Sequence, residues 1–189
     1  MAMPTRLDEA ATIEQLLALP EDGRRHELLD GVHVVTPAPS WTHQRVLQAF
    51  WHPLYVALAG QGTLEVVTSP ADIVLGPRTL VQPDLFVVRH GTGARASEWR
   101  DAGVPVLAIE FLSPTTAARD RGAKRRIYQR AGVAEYWIMD LDARLVERWR
   151  PDDIRPEILD EQLVWAPPEL QTPVTLDLPA LFAEALGAA

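Results

Sequence analysis

The spacing of hydrophobic residues predicts one long helix in the first third of the chain and a short helix before it. Apolar side chains recur at helical intervals over residues 46–58, and Ser40 is a good N-cap for a helix that reaches about Ala59. Pro53 lies inside this segment, where we expect a kink or a break. Near the N-terminus, residues 12–15 read Thr-Ile-Glu-Gln and form a capping box, which begins a short amphipathic helix.

Short apolar runs separated by turn residues predict strands along most of the remaining chain. Residues 26–37, HELLDGVHVVTP, predict a hairpin that turns at Asp30-Gly31. The run from Val104 to Leu112 is apolar except for one carboxylate near its end, which is typical of a buried central strand. Further runs of strand type cover residues 63–68, 72–75, 81–88, 134–139, 144–150 and 162–165.

The segment after the buried strand has helical character and leads to another strand. Residues 116–131 predict a helix that ends at Gly132 in a left-handed C-cap. The strand–helix–strand unit over residues 104–139 is typical of a parallel strand pair with a right-handed crossover. Asp177 caps a last apolar helix that reaches Leu186.

These elements predict a single α+β domain over residues 1–189, with one mixed sheet, helices packed on its faces, and an N-terminal helix and hairpin. A chain of this length can bury one full-sized core. The sequence contains no internal repeat, low-complexity segment or domain linker. Residues 89–103 are polar and contain glycine, which indicates a mobile surface loop.

The composition excludes several kinds of site. The chain has no cysteine, which excludes disulfides, thiolate zinc sites and thiol nucleophiles and fits a reducing compartment. The N-terminal segment lacks an apolar core of signal-peptide length, and no apolar run is long enough to span a membrane. We therefore expect a cytoplasmic protein with no membrane partner.

The charge distribution limits the nucleic-acid partners that the chain could have. A formal net charge of -8 argues against a general nucleic-acid coat protein, because such domains are usually basic. A local basic patch is nevertheless enough to hold phosphates. The chain has one such patch, with Asp120 as its only acid, and it contains Arg119, Arg121, Lys124, Arg125, Arg126 and Arg130.

Two carboxylates at strand ends are candidate metal ligands. Asp84 opens a strand and Glu110 lies near the end of the buried strand, and Mg²⁺ prefers oxygen ligands of this kind. Lys124 follows on the next helix, four residues after Asp120 and therefore on the same helical face. Each residue also has an ordinary interpretation. Asp84 could simply start a strand, Glu110 could be a strand-end acid turned to solvent, and Lys124 could lie on a solvated helix face.

Three segments carry a resemblance to a known family: HELLDG near the start, PDLFVV, and AIEFLSPTTAARDRGAKRRIYQRAGVAEYWIMD. Together they resemble the Uma-type family of the restriction-endonuclease-like superfamily, which is marked by the PD-(D/E)xK motif. The resemblance covers about Glu27 to Trp149 and depends mainly on the third segment. It implies a restriction-endonuclease-like core, in which a mixed four-stranded sheet is flanked by helices.

The resemblance also implies which residues carry the motif. The motif aspartate would be Asp84 and the second acid Glu110. The superfamily places its lysine two residues after that acid, where this chain has Leu112. Lys124 on the next helix matches the displaced lysine of the Uma-type family.

The chemistry that the resemblance implies is hydrolysis of DNA phosphodiester bonds assisted by Mg²⁺ or Mn²⁺. Asp84, Glu110 and the backbone carbonyl of Phe111 would hold the metal, and Glu27 would be a further ligand or a supporting acid. The metal would lower the pKa of a bound water and stabilise charge on the phosphoryl oxygens. Lys124 would orient the attacking water or neutralise the transition state.

Other residues near these positions are expected to support the site. Asp120 would orient Lys124, and Tyr128, four residues after Lys124, could hydrogen-bond near the site while packing in the core with Tyr136 and Trp137. His33 and His43 do not stand at metal-binding spacing, which favours structural roles. The arginines expected to contact phosphates are Arg119, Arg121 and Arg125.

Three functions are compatible with these observations. The first is a metal-dependent endonuclease. The second is a non-catalytic nucleic-acid-binding or accessory module that keeps the nuclease fold, which the negative net charge and the displaced lysine would favour. The third is a metal-dependent hydrolase of a smaller phosphoester, which would use the same site. A homodimer would be reasonable if both strands of a DNA duplex are cut.

Overall fold

The computed structural model describes the backbone of residues 6–7 and, in full, residues 12–59, 63–89 and 102–187. These residues form the α+β fold that the sequence predicts.

The helices are α1 (Ile13–Leu17), α2 (Trp41–Leu58), α3 (Ala117–Arg119), α4 (Arg125–Ala131) and α5 (Leu178–Leu186), with a π-helical turn (Asp120–Lys124) between α3 and α4. The strands are β1 (Arg6–Leu7), β2 (Arg25–Leu29), β3 (Val32–Thr36), β4 (Leu64–Thr68), β5 (Ile73–Gly76), β6 (Thr79–Val81), β7 (Leu85–Arg89), β8 (Leu107–Phe111), β9 (Glu135–Asp140), β10 (Leu145–Trp149), β11 (Glu157–Leu159), β12 (Gln162–Trp165) and β13 (Val174–Asp177).

The described strands pair in three sheets, where the sequence predicts one. The six-stranded sheet has the order β11-β10-β9-β8-β7-β4, and it is mixed because β8 and β9 run parallel while the other neighbours are antiparallel. This sheet is the mixed sheet expected from the sequence. A five-stranded antiparallel sheet, β1-β3-β2-β6-β5, contains the N-terminal hairpin, and β12 pairs with β13.

Each face of the six-stranded sheet is covered by a packed layer. Helices α2 and α5 cover one face, where the Phe50 ring centroid lies 5.3 Å from that of Phe182 and 5.9 Å from that of Phe111. Helix α4 and the five-stranded sheet contribute to the hydrophobic cluster on the opposite face, which includes Tyr128. Side chains alternate along a strand, so Phe111 faces α2 whereas its neighbour Glu110 faces α4.

The predicted strand over residues 81–88 is in fact two strands in different sheets. Strand β6 ends at Val81 in the five-stranded sheet, and β7 begins at Leu85 in the six-stranded sheet. Pro83 lies between them and has no backbone N–H, so it cannot donate to a strand ladder. Asp84 therefore lies in the short link that carries the chain from one sheet to the other.

Several predicted boundaries are confirmed in detail. The side chains and backbones of Thr12 and Gln15 form the capping box of α1. The hairpin turn has positive φ angles at Asp30 and Gly31, 53° and 87°, as a tight two-residue turn requires. Gly132 ends α4 in the left-handed conformation with a φ of 78°.

Other predictions differ from the structure. Helix α2 continues through Pro53, so of the expected kink or break, the break does not occur. The flanking side chains Phe50 and Leu54 are fully buried, and this packing compensates for the lost backbone hydrogen bond. The π-helical turn interrupts the single helix predicted over residues 116–131. Most of the loop predicted over residues 89–103 lies outside the described residues.

No helix within the described ranges is both long and apolar enough to cross a membrane.

Candidate active site

Asp84 immediately precedes β7, and Glu110 lies on β8, which is the antiparallel neighbour of β7 in the six-stranded sheet. Strand β7 pairs with β8 so that Leu85 lies opposite Ile109. Extending this register by one residue sets Asp84 across from Glu110, and side chains in such a pair point to the same face. The backbone N–H of Phe111 donates to Oδ2 of Asp84 at 2.9 Å and joins the two strands there. Both acids are buried, with exposed fractions of 1% and 2%.

Asp84 accepts hydrogen bonds from three parts of the fold. Besides the N–H of Phe111 on β8, Nε2 of His43 on α2 lies 3.0 Å from Oδ2, and the guanidinium of Arg25 on β2 contacts Oδ1. Burial acts to raise the pKa of Asp84, but the charge of Arg25 and these hydrogen bonds hold it well below its usual range. Asp84 is therefore ionised, and both of its oxygens have donors.

Lys124 bridges two carboxylates inside the protein. Its Nζ lies 2.7 Å from Oε1 of Glu110 and 2.7 Å from Oε1 of Glu27, and the lysine side chain has no exposed surface. The Tyr128 hydroxyl donates to the same Glu110 oxygen at 3.0 Å, and the backbone N–H of Gln82 donates to Glu27 at 2.8 Å. The alternative of a lysine on a solvated helix face is therefore wrong.

The two carboxylates that share Lys124 have pKa values shifted in opposite directions. Burial raises the pKa of Glu110 to about 8; the charge of Lys124 opposes this shift, and neighbouring acids add to it. Burial also acts to raise the pKa of Glu27, but Lys124 and two arginines outweigh it, so that this pKa lies below its ordinary value. Burial acts to lower the pKa of Lys124, yet its acidic neighbours raise it. A charged Lys124 thus lies between two carboxylates whose pKa values are shifted in opposite directions.

The π-helical turn places Asp120 and Lys124 in the protein interior. The backbone N–H of Arg125 donates to the carbonyl of Asp120, five residues earlier, and the Tyr136 hydroxyl donates to the same carbonyl at 3.2 Å. The Asp120 carboxylate is buried, and its Oδ1 lies 3.6 Å from Nε of Arg119. Single π turns inside helices are frequent at functional sites.

The three arginines predicted to bind phosphate have different surroundings. The Arg119 side chain is 12% exposed, and its Nε and Nη1 atoms are buried without a hydrogen-bond partner among the described residues. Arg121 is paired with Glu147 at 2.6 Å and with a second carboxylate. Arg125 stacks on Trp149, with Cζ 4.6 Å from the ring centroid. Of the three, Arg119 has the donors that a phosphate could use.

Two cavities meet at these carboxylates. The α1 cavity, of about 580 Å³, is lined by α1, by the segment between α1 and β2, and by Asp84. The β8 cavity, of about 450 Å³, is lined by the end of β8, by residues 112–117, and by Glu110 and Arg119. Four residues line both cavities and so form their shared wall: Arg25, Ala38, Pro39 and His43.

Comparison with known proteins connects this arrangement to one family. A family model described as "Uma2: Putative restriction endonuclease" matches residues 13–182. The chain belongs to the Uma2 family. The resemblance seen in the sequence is thereby confirmed.

A solved structure has the same fold as this Uma2 chain. It is titled as a putative nuclease belonging to DUF820 from Anabaena variabilis, and its TM-score is 0.79 at 22% sequence identity. The match covers 93% of this chain and 99% of the other. The comparison with curated proteins gave no match.

Two side chains of this Uma2 site are missing from the set predicted from sequence. Arg25 lies two residues before Glu27 on β2, so the two side chains share one face of the strand, and this alternation could have indicated Arg25. His43, for which a structural role was expected, bonds to Asp84, and no spacing in the sequence indicates that contact. His33, the other histidine expected to be structural, bonds to His26 at 3.0 Å.

The oxygen donors of the candidate site are of the kind that a hard divalent cation prefers. Within the described ranges, however, no three or more acidic or histidine side chains are grouped so that they could hold a metal ion. Oε2 of Glu27 is buried and has no hydrogen-bond partner in the described part of the chain. A cation already lies among the acids. Burial acts to lower the pKa of Arg25, yet the charges of Asp84, Glu110 and Glu27 raise it. The acids are thus arranged around a cation, and Arg25 takes that place.

Proposed function

We propose that the protein is a metal-dependent endonuclease that hydrolyses phosphodiester bonds in DNA, with Mg²⁺ or Mn²⁺ as its cofactor. Membership of a family described as restriction endonucleases supports a nuclease-like function. The observation that carries the proposal is the convergence of Asp84, Glu110, Lys124 and Glu27 on one buried cluster beside a cavity that contains Arg119. These residues come from separate elements, so only the folded chain brings them together.

Asp84, Glu110 and the backbone carbonyl of Phe111 would hold the metal, with Glu27 as a further ligand or a supporting acid. A metal bound there supplies a water of lowered pKa and stabilises charge on phosphoryl oxygens. Lys124 and Tyr128 both bond to Oε1 of Glu110, which fixes the orientation of that carboxylate. Such supporting contacts are what hold metal ligands in place.

Lys124 has a more indirect role in this arrangement than the family resemblance implies. It lines neither cavity and is held by Glu27 and Glu110. A direct contact with the attacking water would require its ammonium to leave Glu27. In the observed geometry, Lys124 acts on the substrate through Glu110, while the neighbouring charge of Asp120 helps to keep Lys124 protonated.

Phosphate binding is assigned first to Arg119. Arg119 lines the β8 cavity beside Glu110, and its buried Nε and Nη1 have no hydrogen-bond partner among the described residues, so a charge-assisted hydrogen bond to a phosphate could satisfy them. Arg121 lines the same cavity but is already paired, and Arg125 is stacked on Trp149. These two arginines would contribute general positive potential rather than direct contacts.

The test is cleavage of plasmid and single-stranded DNA with Mg²⁺ or Mn²⁺, comparing the wild type with Asp84→Asn and Glu110→Gln. Because each change removes one proposed metal ligand, activity should fall by about 100-fold or more. The matched control is Glu161→Gln, which neutralises an exposed acid that lines neither cavity and should keep full activity. Equal cleavage by the wild type and both site variants would assign the activity to a contaminant or to another site.

One observation favours a non-catalytic nucleic-acid-binding or accessory module as the second candidate. Asp84 is paired with Arg25, and Glu27 and Glu110 are paired with Lys124, so each acid already has a cationic partner. Retained DNA binding without any metal-dependent turnover, together with no Mn²⁺ bound at Asp84 and Glu110, would select this candidate.

Two further expectations remain predictions. A cytoplasmic location follows from the composition of the chain, which has no cysteine. A homodimer follows if the enzyme cuts both strands of a duplex, and gel filtration with light scattering would measure it.

A further inference from the structure

We propose that Arg25 is the resident cation of the metal-free site, and that a divalent metal must displace its guanidinium from Asp84 in order to bind. This inference rests on the proposed function, because it names the residue of this chain that competes with the metal. Arg25 would then be a positioning residue, because Asp84 can bind a metal only after the guanidinium of Arg25 has left it.

The contacts of the two buried cations show why Arg25, and not Lys124, is the one displaced. The Arg25 side chain is 14% exposed and lines both cavities, and the carboxylate it contacts is that of Asp84. Its Nε is buried without a hydrogen-bond partner among the described residues. Lys124 has no exposed surface and is held by two carboxylates, each at 2.7 Å.

A metal and the Arg25 guanidinium cannot share Asp84 in this arrangement. The guanidinium contacts Oδ1, and Oδ2 accepts from His43 and from the N–H of Phe111. A divalent ion on the same carboxylate would lie within a few ångströms of a guanidinium that is always protonated, and the interior screens this repulsion poorly. Binding of the metal therefore carries the cost of breaking the Arg25–Asp84 pair.

Displacement of Arg25 would also change the shape of the site. Asp84 lines the α1 cavity and Glu110 lines the β8 cavity, and Arg25 is part of the wall between them. Movement of Arg25 away from Asp84 would free a ligand and remove one part of that wall, which Ala38, Pro39 and His43 also form.

The experiment is titration of the metal-free protein with Mn²⁺ in a calorimeter, which reads affinity and not activity. Arg25→Gln removes the competing charge and should bind Mn²⁺ roughly tenfold more tightly than the wild type. The matched control is Arg119→Gln, which removes a charge near the same acids without touching Asp84 and should change the affinity by less than about threefold. Asp84→Asn removes the proposed ligand and should abolish binding.

The outcomes separate this inference from the function on which it rests. If Asp84→Asn abolishes binding but Arg25→Gln binds no more tightly than the wild type, or no more tightly than Arg119→Gln, the competition by Arg25 is wrong and the metal site stands. If Asp84→Asn binds Mn²⁺ as well as the wild type, the proposed metal site itself is wrong. Absence of binding in both the wild type and Arg25→Gln contradicts both.

A second measurement does not depend on the folding of any variant. Crystals of the wild-type protein with and without Mn²⁺ should differ in the position of Arg25, with the guanidinium off Asp84 when the metal is bound. A metal on Asp84 with Arg25 still in contact with that carboxylate would overturn the inference.

Discussion

Lys124 shows at the scale of one residue how tertiary structure overrides local sequence. It lies in a basic run, where a lysine ordinarily faces solvent. In the fold it is fully buried between Glu27 and Glu110. Removal of charges from water is costly, so a buried pair persists only with close partners, and loss of one partner strands the other.

Lys124→Met should lower the free energy of unfolding by about 3–5 kcal/mol, because the ionised carboxylate of Glu27 would lose its cation in the interior. Glu110 should contribute less to this loss, since its raised pKa lets it take up a proton instead. Urea denaturation at neutral pH with a chelator present measures the effect.

Two further variants test this explanation. Addition of Glu27→Gln to Lys124→Met should restore part of the lost stability, because the stranded charge is removed and the two changes are not additive. The matched control Arg126→Met alters an exposed residue of the same basic run and should change stability by less than about 0.5 kcal/mol. A cost for Lys124→Met no larger than this control would mean that the buried charges are not coupled.

At the scale of elements, the π-helical turn and the N-terminal hairpin both contain a glycine, but the two glycines have different reasons to be there. Gly122 in the turn has open space where a side chain would begin, and its φ is not positive. Gly31 in the hairpin has a φ of 87°, and a Cβ there would overlap the guanidinium of Arg78. The fold therefore requires glycine in the hairpin and not in the π-helical turn.

Gly122→Ala should raise the free energy of unfolding by about 0.5–1 kcal/mol, because alanine restricts the unfolded chain and favours helix. Gly31→Ala should lower it by about 1 kcal/mol or more, because alanine is strained at positive φ. Thermal or urea unfolding of the two variants side by side gives the comparison. Destabilisation by Gly122→Ala would show that the turn needs a conformation that alanine disfavours.

At the scale of the whole molecule, the sequence predicts the α+β class, the family and the elements with strong local signals, such as the capping box at Thr12 and the Asp30-Gly31 turn. It does not predict that the segment over residues 81–88 is divided between two sheets, because the sheet that a strand joins depends on long-range pairing. It also does not predict the contact of His43 with Asp84, since pairing across 41 positions depends on how α2 packs. Their positions at strand ends indicate Asp84 and Glu110 as candidate metal ligands, and the family resemblance connects these two acids to Lys124.

The charge of the whole molecule limits how DNA can bind. The net charge is -8, and several of the cations at the candidate site already have acidic partners, as Arg25 and Arg121 do. Each phosphate neutralised by a cation releases counterions, so the slope of log affinity against log salt counts such contacts. At the candidate site, Arg25 and Arg121 are already paired with acids, so few phosphate contacts are expected there and the slope should be shallow.

We expect a slope of about -1 to -3 for a short DNA duplex, measured by fluorescence anisotropy in EDTA at several KCl concentrations. Arg119→Gln should make the slope shallower by about 1, because it removes one phosphate contact. The matched control Arg121→Gln should change it less, since that guanidinium is already neutralised by Glu147 and a second acid. A slope much steeper than this range, unaffected by Arg119→Gln, would place DNA on a different surface from the β8 cavity, because the few cations available there cannot release so many counterions.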